Sequence, residues 1–193
     1  MKVFFVRHGE AMDDIENRYG GWYDPELSPA GMKSAEETAE KLKQKTSDVE
    51  LILSSPLKRA FQTAKILSRE LKIPIETLIY LKERNTYGLL CGENKDEAKE
   101  KYPELVMAYE NREEVLGYED YQFFLKRVKE LIRRLAGYGK PLICVTHSKL
   151  LGALFKDILH REAKKFHDNC IAEIEIDNEG QVTLLSTEGI DLS

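Results

Sequence analysis

Val3, Phe4, Phe5 and Val6 form an unbroken apolar run that stops at Arg7, His8 and Gly9. Four consecutive β-prone residues predict a strand buried on both faces, as in a parallel sheet covered by helices. Shorter runs at 50–53 and 141–145 predict two more strands, the first ending in Ser54, Ser55, Pro56 and the second in Thr146, His147, Ser148. An extended segment is expected over 73–81. Residues 171–176 and 181–185 alternate, and Asp177, Asn178, Glu179 and Gly180 between them read as a hairpin turn.

Helical spacing predicts a helix from the Ser28 cap and Pro29 to about Gln44, with Ala35, Ala39 and Leu42 on its apolar side. A second is expected from a Ser55 cap with Pro56 as first residue, through Ala60, Ala64 and Leu67 to Leu71. That register puts Arg59 at the end of the first turn, where free amides and the helix dipole favour an anion. Residues 11–26 read as a long irregular loop, a length that is often functional. Between 94 and 137 the chain reads as helical pieces broken near Pro103 and Gly117. The last piece carries Phe124, Val128, Leu131 and Leu135 as a core-facing stripe. A further apolar helix is expected over 150–159. Strands alternating with helices predict a three-layer α/β/α sandwich with a mostly parallel sheet. The expected organisation is one domain over 1–193, with a helical cap inserted at about 83–137.

Composition narrows the class. With 193 residues, 42% hydrophobic and 33% charged, the chain is expected to be a globular protein with a sizeable core. A net charge of −5 argues against non-specific nucleic-acid binding, which needs a basic surface. No run approaches a membrane-spanning length, and only four apolar residues follow Met1 and Lys2, so no membrane association and a cytoplasmic location are expected. Cys91, Cys144 and Cys170 have neither the spacing of a zinc knuckle nor the even count of a disulfide framework.

Three strand ends carry Arg7 with His8, Arg59, and His147. On one edge of a parallel sheet they would converge, as ligand sites in open α/β sheets do. Two guanidinium forks can clamp phosphoryl oxygens, and an imidazole can attack phosphorus. A metal site is the competing use of two histidines, but there is no carboxylate cluster or His-x-x-x-His helix face, and the arginines would repel the ion.

These residues resemble the histidine phosphatase superfamily, in the branch of the cofactor-dependent phosphoglycerate mutases and fructose-2,6-bisphosphatases. The resemblance rests on Arg7-His8-Gly9-Glu10, on Glu16-Asn17-Arg18 with Gly21, Trp22, Tyr23, Asp24, Leu27 and Ser28, and on 54–64. Glu83, Gly88, Gly92, Thr146, His147 and Asn169 complete it. It implies a phosphoglycerate mutase-like fold and a phosphohistidine formed on His8. Arg7, Arg59 and His147 would hold the phosphoryl group, Glu83 would be the general acid, and no metal or other cofactor would be required. Gly9, Asn17, Gly21, Arg84, Tyr87, Lys95 and Ser148 are the candidates for substrate binding, and the expected partner is a small phosphorylated metabolite, bound by a monomer or homodimer.

Some positions depart from the pattern. Ala11 and Asp14 stand where mutase-type relatives carry a serine and an asparagine near the phosphate, and Ser148 replaces the commoner glycine. Asp14 would repel an anionic substrate that it faced. Residues 102–121 contain Arg112 but not the paired arginine of the mutases, and Glu113 and Glu114 follow it. The expected activity is therefore hydrolysis of a phosphomonoester, with a phosphoglycerate mutase using the same intermediate as the alternative.

Overall fold

The computed structural model describes residues 1–177 and 179–193. In chain order the strands are β1 (Lys2–Arg7), β2 (Leu51–Ser54), β3 (Ile75–Thr77), β4 (Leu142–Thr146), β5 (Ala163–Ile176) and β6 (Val182–Leu192). They form one sheet in the order β3-β2-β4-β1-β5-β6. The four on one side are parallel, whereas β5 runs antiparallel to β1 and β6 antiparallel to β5. The helices are α1 (Met12–Ile15), α2 (Pro29–Lys43), α3 (Lys58–Leu71), α4 (Lys95–Lys101), α5 (Pro103–Glu110), α6 (Tyr121–Ala136) and α7 (Ser148–Ala153).

Alternation along β1 explains the three layers. Phe4 and Val6 pack with Ala39 and Leu42 of α2 and Ala60, Ala64 and Leu67 of α3. Val3 and Phe5 face the other way, onto Phe124, Val128, Leu131 and Leu135 of α6 and Leu150 and Leu151 of α7. Each large apolar side chain buried this way contributes about 1.5–3 kcal/mol, so β1 is stabilised from both sides. Helix starts follow the sequence: Ser28 Oγ accepts from Gly31 N at 2.9 Å, and Asp120 Oδ1 accepts from Gln122 and Phe123 amides. The region from 83 to 137 contains two kinds of structure. Helix α6 belongs to the sandwich core, while Leu90, Ala98, Val106 and Val115 form a separate small cluster with Tyr19.

Four details differ from the sequence reading. The loop over 11–26 contains the short helix α1. Helix α3 begins at Lys58 rather than Pro56, with Asp24 Oδ1 from the preceding loop accepting from the Lys58 amide at 2.6 Å. Ser55 therefore does not cap it, and Arg59 is the helix's second residue. The expected 150–159 helix is α7 followed by a π-helical turn, Leu154–Ile158. Strands β5 and β6 run well beyond the alternating segments, because in their outer parts the apolar residues Phe166, Ile190 and Leu192 are spaced among charged and polar ones too sparsely to read as a strand. Of the turn between them, Asn178 lies outside the described residues, and Asp177 Oδ1 accepts from the Glu179 and Gln181 amides.

Candidate active site

Registry brings the chemistry together. Arg7 lies opposite Thr146 and Ser54 opposite Val145, so β1, β2 and β4 end side by side. His8 N donates to Thr146 O at 3.0 Å and Ser55 N to Val145 O at 3.0 Å, extending the ladder one residue past each strand. His8, Ser55 and His147 thus stand along one sheet edge. The rings of His8 and His147 meet edge-on with centroids 4.9 Å apart.

His8 is 6% exposed and its tautomer follows from its neighbours. Nδ1 lies 2.7 Å from Gly9 O, which can only accept, so Nδ1 carries the proton. Nε2 accepts from Arg59 Nε at 3.2 Å and therefore holds the lone pair. Burial, then Arg59 and Arg7, push the imidazole well below its usual range and keep it neutral. His147 is likewise held neutral by burial and by Arg59, and its Nε2 lies 2.7 Å from Ser55 Oγ.

Arg59 is fixed at three points: its Nη atoms donate to Tyr23 O at 2.9 Å and Gly21 O at 3.0 Å, besides the contact to His8. Gly21 has φ +66°, and a Cβ there would come within about 3.1 Å of Tyr87, Asn85 and Cys91, so the carbonyl reaches Arg59 only from a glycine. Arg7 Nη1 is anchored on Phe166 O at 2.7 Å and Asp168 Oδ1 at 2.9 Å.

Glu83 faces this group from the opposite wall and is 6% exposed. Oε1 accepts from Arg84 N at 2.9 Å, and Oε2 accepts from Lys149 N at 3.2 Å and from Ser148 Oγ at 3.4 Å. Burial raises its pKa against the pull of those amides and of Arg59. Its backbone is pinned by Arg127 on α6, whose guanidinium donates to the carbonyls of Tyr80, Lys82 and Glu83 and pairs with Glu119. Trp22 Nε1 donates to Glu83 O at 2.8 Å as well.

All five expected catalytic side chains lie in this region, four of them lining a cleft of about 200 Å³, while His147 sits fully buried beneath it. Gly21, Arg84, Tyr87, Lys95 and Ser148 also line the cleft. Gly9 lies below it, its amide donating to Thr63 Oγ1 at 3.2 Å. Asn17 is turned away, exposed at φ 54°, and donates to Asp96 Oδ2 at 3.0 Å. Next to the cleft, and sharing Arg84, Thr86 and Lys149 with it, is a wider chamber of about 680 Å³ whose far rim carries Arg112, Glu113 and Glu114. Among the described residues, no three His, Cys, Asp or Glu side chains gather into a group that could hold a metal ion. Among the same residues, no helix is long and apolar enough to cross a membrane.

The sequence model of the histidine phosphatase superfamily (branch 1) matches residues 3–188. The chain belongs to the histidine phosphatase superfamily. Solved structures share its fold at low identity. The Bacillus stearothermophilus protein YhfR superposes with a TM-score of 0.83 at 23% identity, over 100% of this chain and 98% of its own. The alpha-ribazole phosphatase of Shigella flexneri gives 0.78 at 22% identity, over 96% and 95%. A phosphoglycerate mutase from Bacillus anthracis gives 0.78 at 20% identity, over 96% and 92%.

Several residues around this cleft in the histidine phosphatase family member are not singled out by the sequence pattern. The sequence pattern makes Ser55 a helix cap, and its contact with His147 depends on two strand ends far apart in the chain. In the sequence Arg127 is only one residue of a core-facing helix. Asp13, Thr86 and Lys149 also line the cleft, as does Arg18, which belongs to the sequence motif but is not among the substrate-binding candidates. For Asp13 there was a signal, the adjacent acidic pair Asp13-Asp14 four residues after Gly9 in a phosphate-binding motif.

Proposed function

We propose that this chain is a metal-independent phosphomonoesterase that works through a phosphohistidine on His8 and acts on a small phosphorylated metabolite. The observation that carries this is the state of His8: a neutral ring with its lone pair on Nε2 and the Arg59 guanidinium beside that nitrogen. In the first half-reaction Nε2 attacks phosphorus and the ester P–O bond breaks. Glu83 gives its proton to the departing alkoxide. Arg7, Arg59 and His147 stabilise the charge that develops on the phosphoryl oxygens. In the second half-reaction the Glu83 carboxylate takes a proton from water as the water oxygen attacks phosphorus. The P–N bond breaks and phosphate leaves, with His8 neutral again.

Hydrolysis, rather than return of the phosphoryl group to a product, is favoured by the chamber. Its lining holds four carboxylates against three cations, a poor match for a phosphoglycerate, which brings a carboxylate besides its phosphoryl dianion. Rapid quench with phosphorus-labelled substrate should trap acid-labile, base-stable label that vanishes in His8→Ala, and label persisting in that variant overturns the assignment. Supplied with 3-phosphoglycerate and a trace of 2,3-bisphosphoglycerate, the protein should release phosphate faster than it makes 2-phosphoglycerate. The reverse order identifies a mutase. EDTA should leave turnover unchanged, since side chains supply the positive charge; loss restored by Mg²⁺ counts against the mechanism.

A further inference from the structure

Glu83 stands in a segment that no helix or strand holds. After the single turn at Ile79–Leu81, residues 82–86 belong to neither kind of element, so their polar backbone groups need partners from elsewhere. The four successive carbonyls from Tyr80 to Glu83 all accept from side chains. Thr146 Oγ1, at the end of β4, donates to Leu81 O at 2.8 Å, and Trp22 Nε1 donates to Glu83 O. Arg127 alone reaches three of the four. Its Nη1 donates to Tyr80 O at 3.0 Å and Lys82 O at 2.6 Å, and its Nη2 to Glu83 O at 3.3 Å.

The same guanidinium is braced by Glu119. Nε donates to Oε1 at 3.1 Å and Nη2 to Oε2 at 3.0 Å, with both side chains mostly buried. Glu119 in turn holds the residues that follow Glu83: its amide donates to Asn85 O at 2.7 Å, and its carbonyl accepts from Arg84 Nε at 3.0 Å. The Arg84 amide is the one that Glu83 Oε1 accepts from at 2.9 Å. The ion pair therefore grips the chain on both sides of the acid, Arg127 up to Glu83 and Glu119 just beyond it. Neither residue lines the cleft or the chamber. Glu119 offsets the charge of Arg127, so the pair fixes a place rather than supplying a field to the substrate.

We propose that Arg127, braced by Glu119, is a positioning residue that sets the Glu83 carboxyl against the leaving oxygen. A proton donor works only within hydrogen-bond reach of the atom that it protonates, and a misplacement of about 1 Å can cost about a hundredfold. A planar fork can span three carbonyls and a carboxylate at once, whereas an ammonium is a single point. This rests on the reading of Glu83 as the general acid.

The test measures kcat and KM for Arg127→Lys, for Glu83→Gln and for the two combined. The substrates are β-glycerophosphate, with an alkoxide leaving group, and p-nitrophenyl phosphate, whose leaving oxygen needs little protonation. Arg127→Lys keeps a cation beside Glu119 and should lower kcat on β-glycerophosphate by about ten- to a hundredfold, with KM nearly unchanged. The loss on p-nitrophenyl phosphate should be much smaller. In the Glu83→Gln background the same change should cost less than about twofold, because a residue that acts through Glu83 has nothing left to position. Arg127→Met combined with Glu119→Gln leaves no buried charge unpaired, should show the same pattern, and decides the matter if the lysine variant does not fold. Equal losses on both substrates, or a loss that persists in full beside Glu83→Gln, overturns the positioning role, as does full activity in Arg127→Lys. Absence of any leaving-group dependence in Glu83→Gln itself overturns the reading of Glu83 as the acid instead.

Discussion

The cleft and the chamber share a wall, yet the reactive side chains of one are buried while the far rim of the other is exposed. Around the cleft are six cationic side chains and three carboxylates, and His8, Arg59 and His147 each have less than a tenth of their surface exposed. Each also has a polar contact of set geometry, and two of those partners, Gly9 and Ser55, continue from strand ends. The chamber has the opposite charge balance, and at its rim Glu110, Arg112, Glu113 and Glu114 are all exposed. Exposed charges of this kind contribute little to stability, so the rim can vary without disturbing the sheet edge. The difference teaches where reaction type and substrate choice are decided. Under the proposed function, backbone registry would set the attack on phosphorus, and side chains on α5, α6 and the loop between them would meet the leaving group.

If that division is correct, changes at the sheet edge should act on kcat and changes at the rim on KM. His8→Ala should cost on the order of 10⁴-fold or more in kcat, as expected when a nucleophile is removed from a unit that works together. A residual rate within tenfold of wild type breaks the comparison at its base. Glu83→Gln should cost about 10²–10⁴-fold with alkyl phosphates and much less with activated aryl phosphates, whose leaving oxygens need little protonation. Equal losses on both kinds of substrate mean that another group is the acid.

The pH profile carries its own sign. His8 must be neutral and its pKa is depressed, so the acidic limb should fall below the ordinary histidine range. Glu83 must be protonated and its pKa is raised, so activity should decline as pH climbs through that raised value. Glu83→Gln cannot ionise and should remove the alkaline decline that belongs to the acid. A decline of unchanged position and depth would place the acid elsewhere.

Ser55→Ala should have a smaller effect, about ten- to a hundredfold in kcat with KM nearly unchanged. It strands His147 Nε2 without its 2.7 Å partner, and an unmet buried polar group costs about 1–3 kcal/mol. Rescue by Ser55→Thr, which restores the hydroxyl, would separate this from a general loss of folding. A fall in KM affinity without a fall in kcat would assign Ser55 to ground-state binding.

The sandwich was legible in the sequence because its signals are local. The apolar run of β1, the Phe124 stripe of α6 and the Ser28-Pro29 helix start each carry their own pattern. The residues of the sheet edge were legible as a motif, but the bonds that hold them were not. Ser55 meets His147 across 92 positions, and Arg127 reaches the Glu83 backbone across 44. Such contacts depend on strand order, and no periodicity records it. Asn17 is a substrate-binding candidate by its place in the motif, and in the structure the left-handed turn at φ 54° sets its amide on Asp96. The start of α3 was misplaced because its cap comes from Asp24, 34 residues away.

The smallest expected effect lies at the rim, and it is the one that most directly tests the division between the two regions. Replacing Glu113 and Glu114 together by Gln removes two negative charges from the chamber lining and leaves its shape intact. Both are exposed, so their field at an arriving substrate is weakened by water and by salt over a distance of about 10 Å. KM should therefore fall only a few-fold, and only for substrates whose leaving group carries a second negative charge. With a neutral leaving group KM should not move, and kcat should be unchanged for both, because neither residue touches His8 or Glu83. The gain for anionic substrates should vanish in high salt, as expected of screened charges. A gain that survives high salt, or that appears equally with neutral leaving groups, would mean that the rim changes the shape of the chamber rather than its field. A fall in kcat would mean that rim and sheet edge are coupled after all.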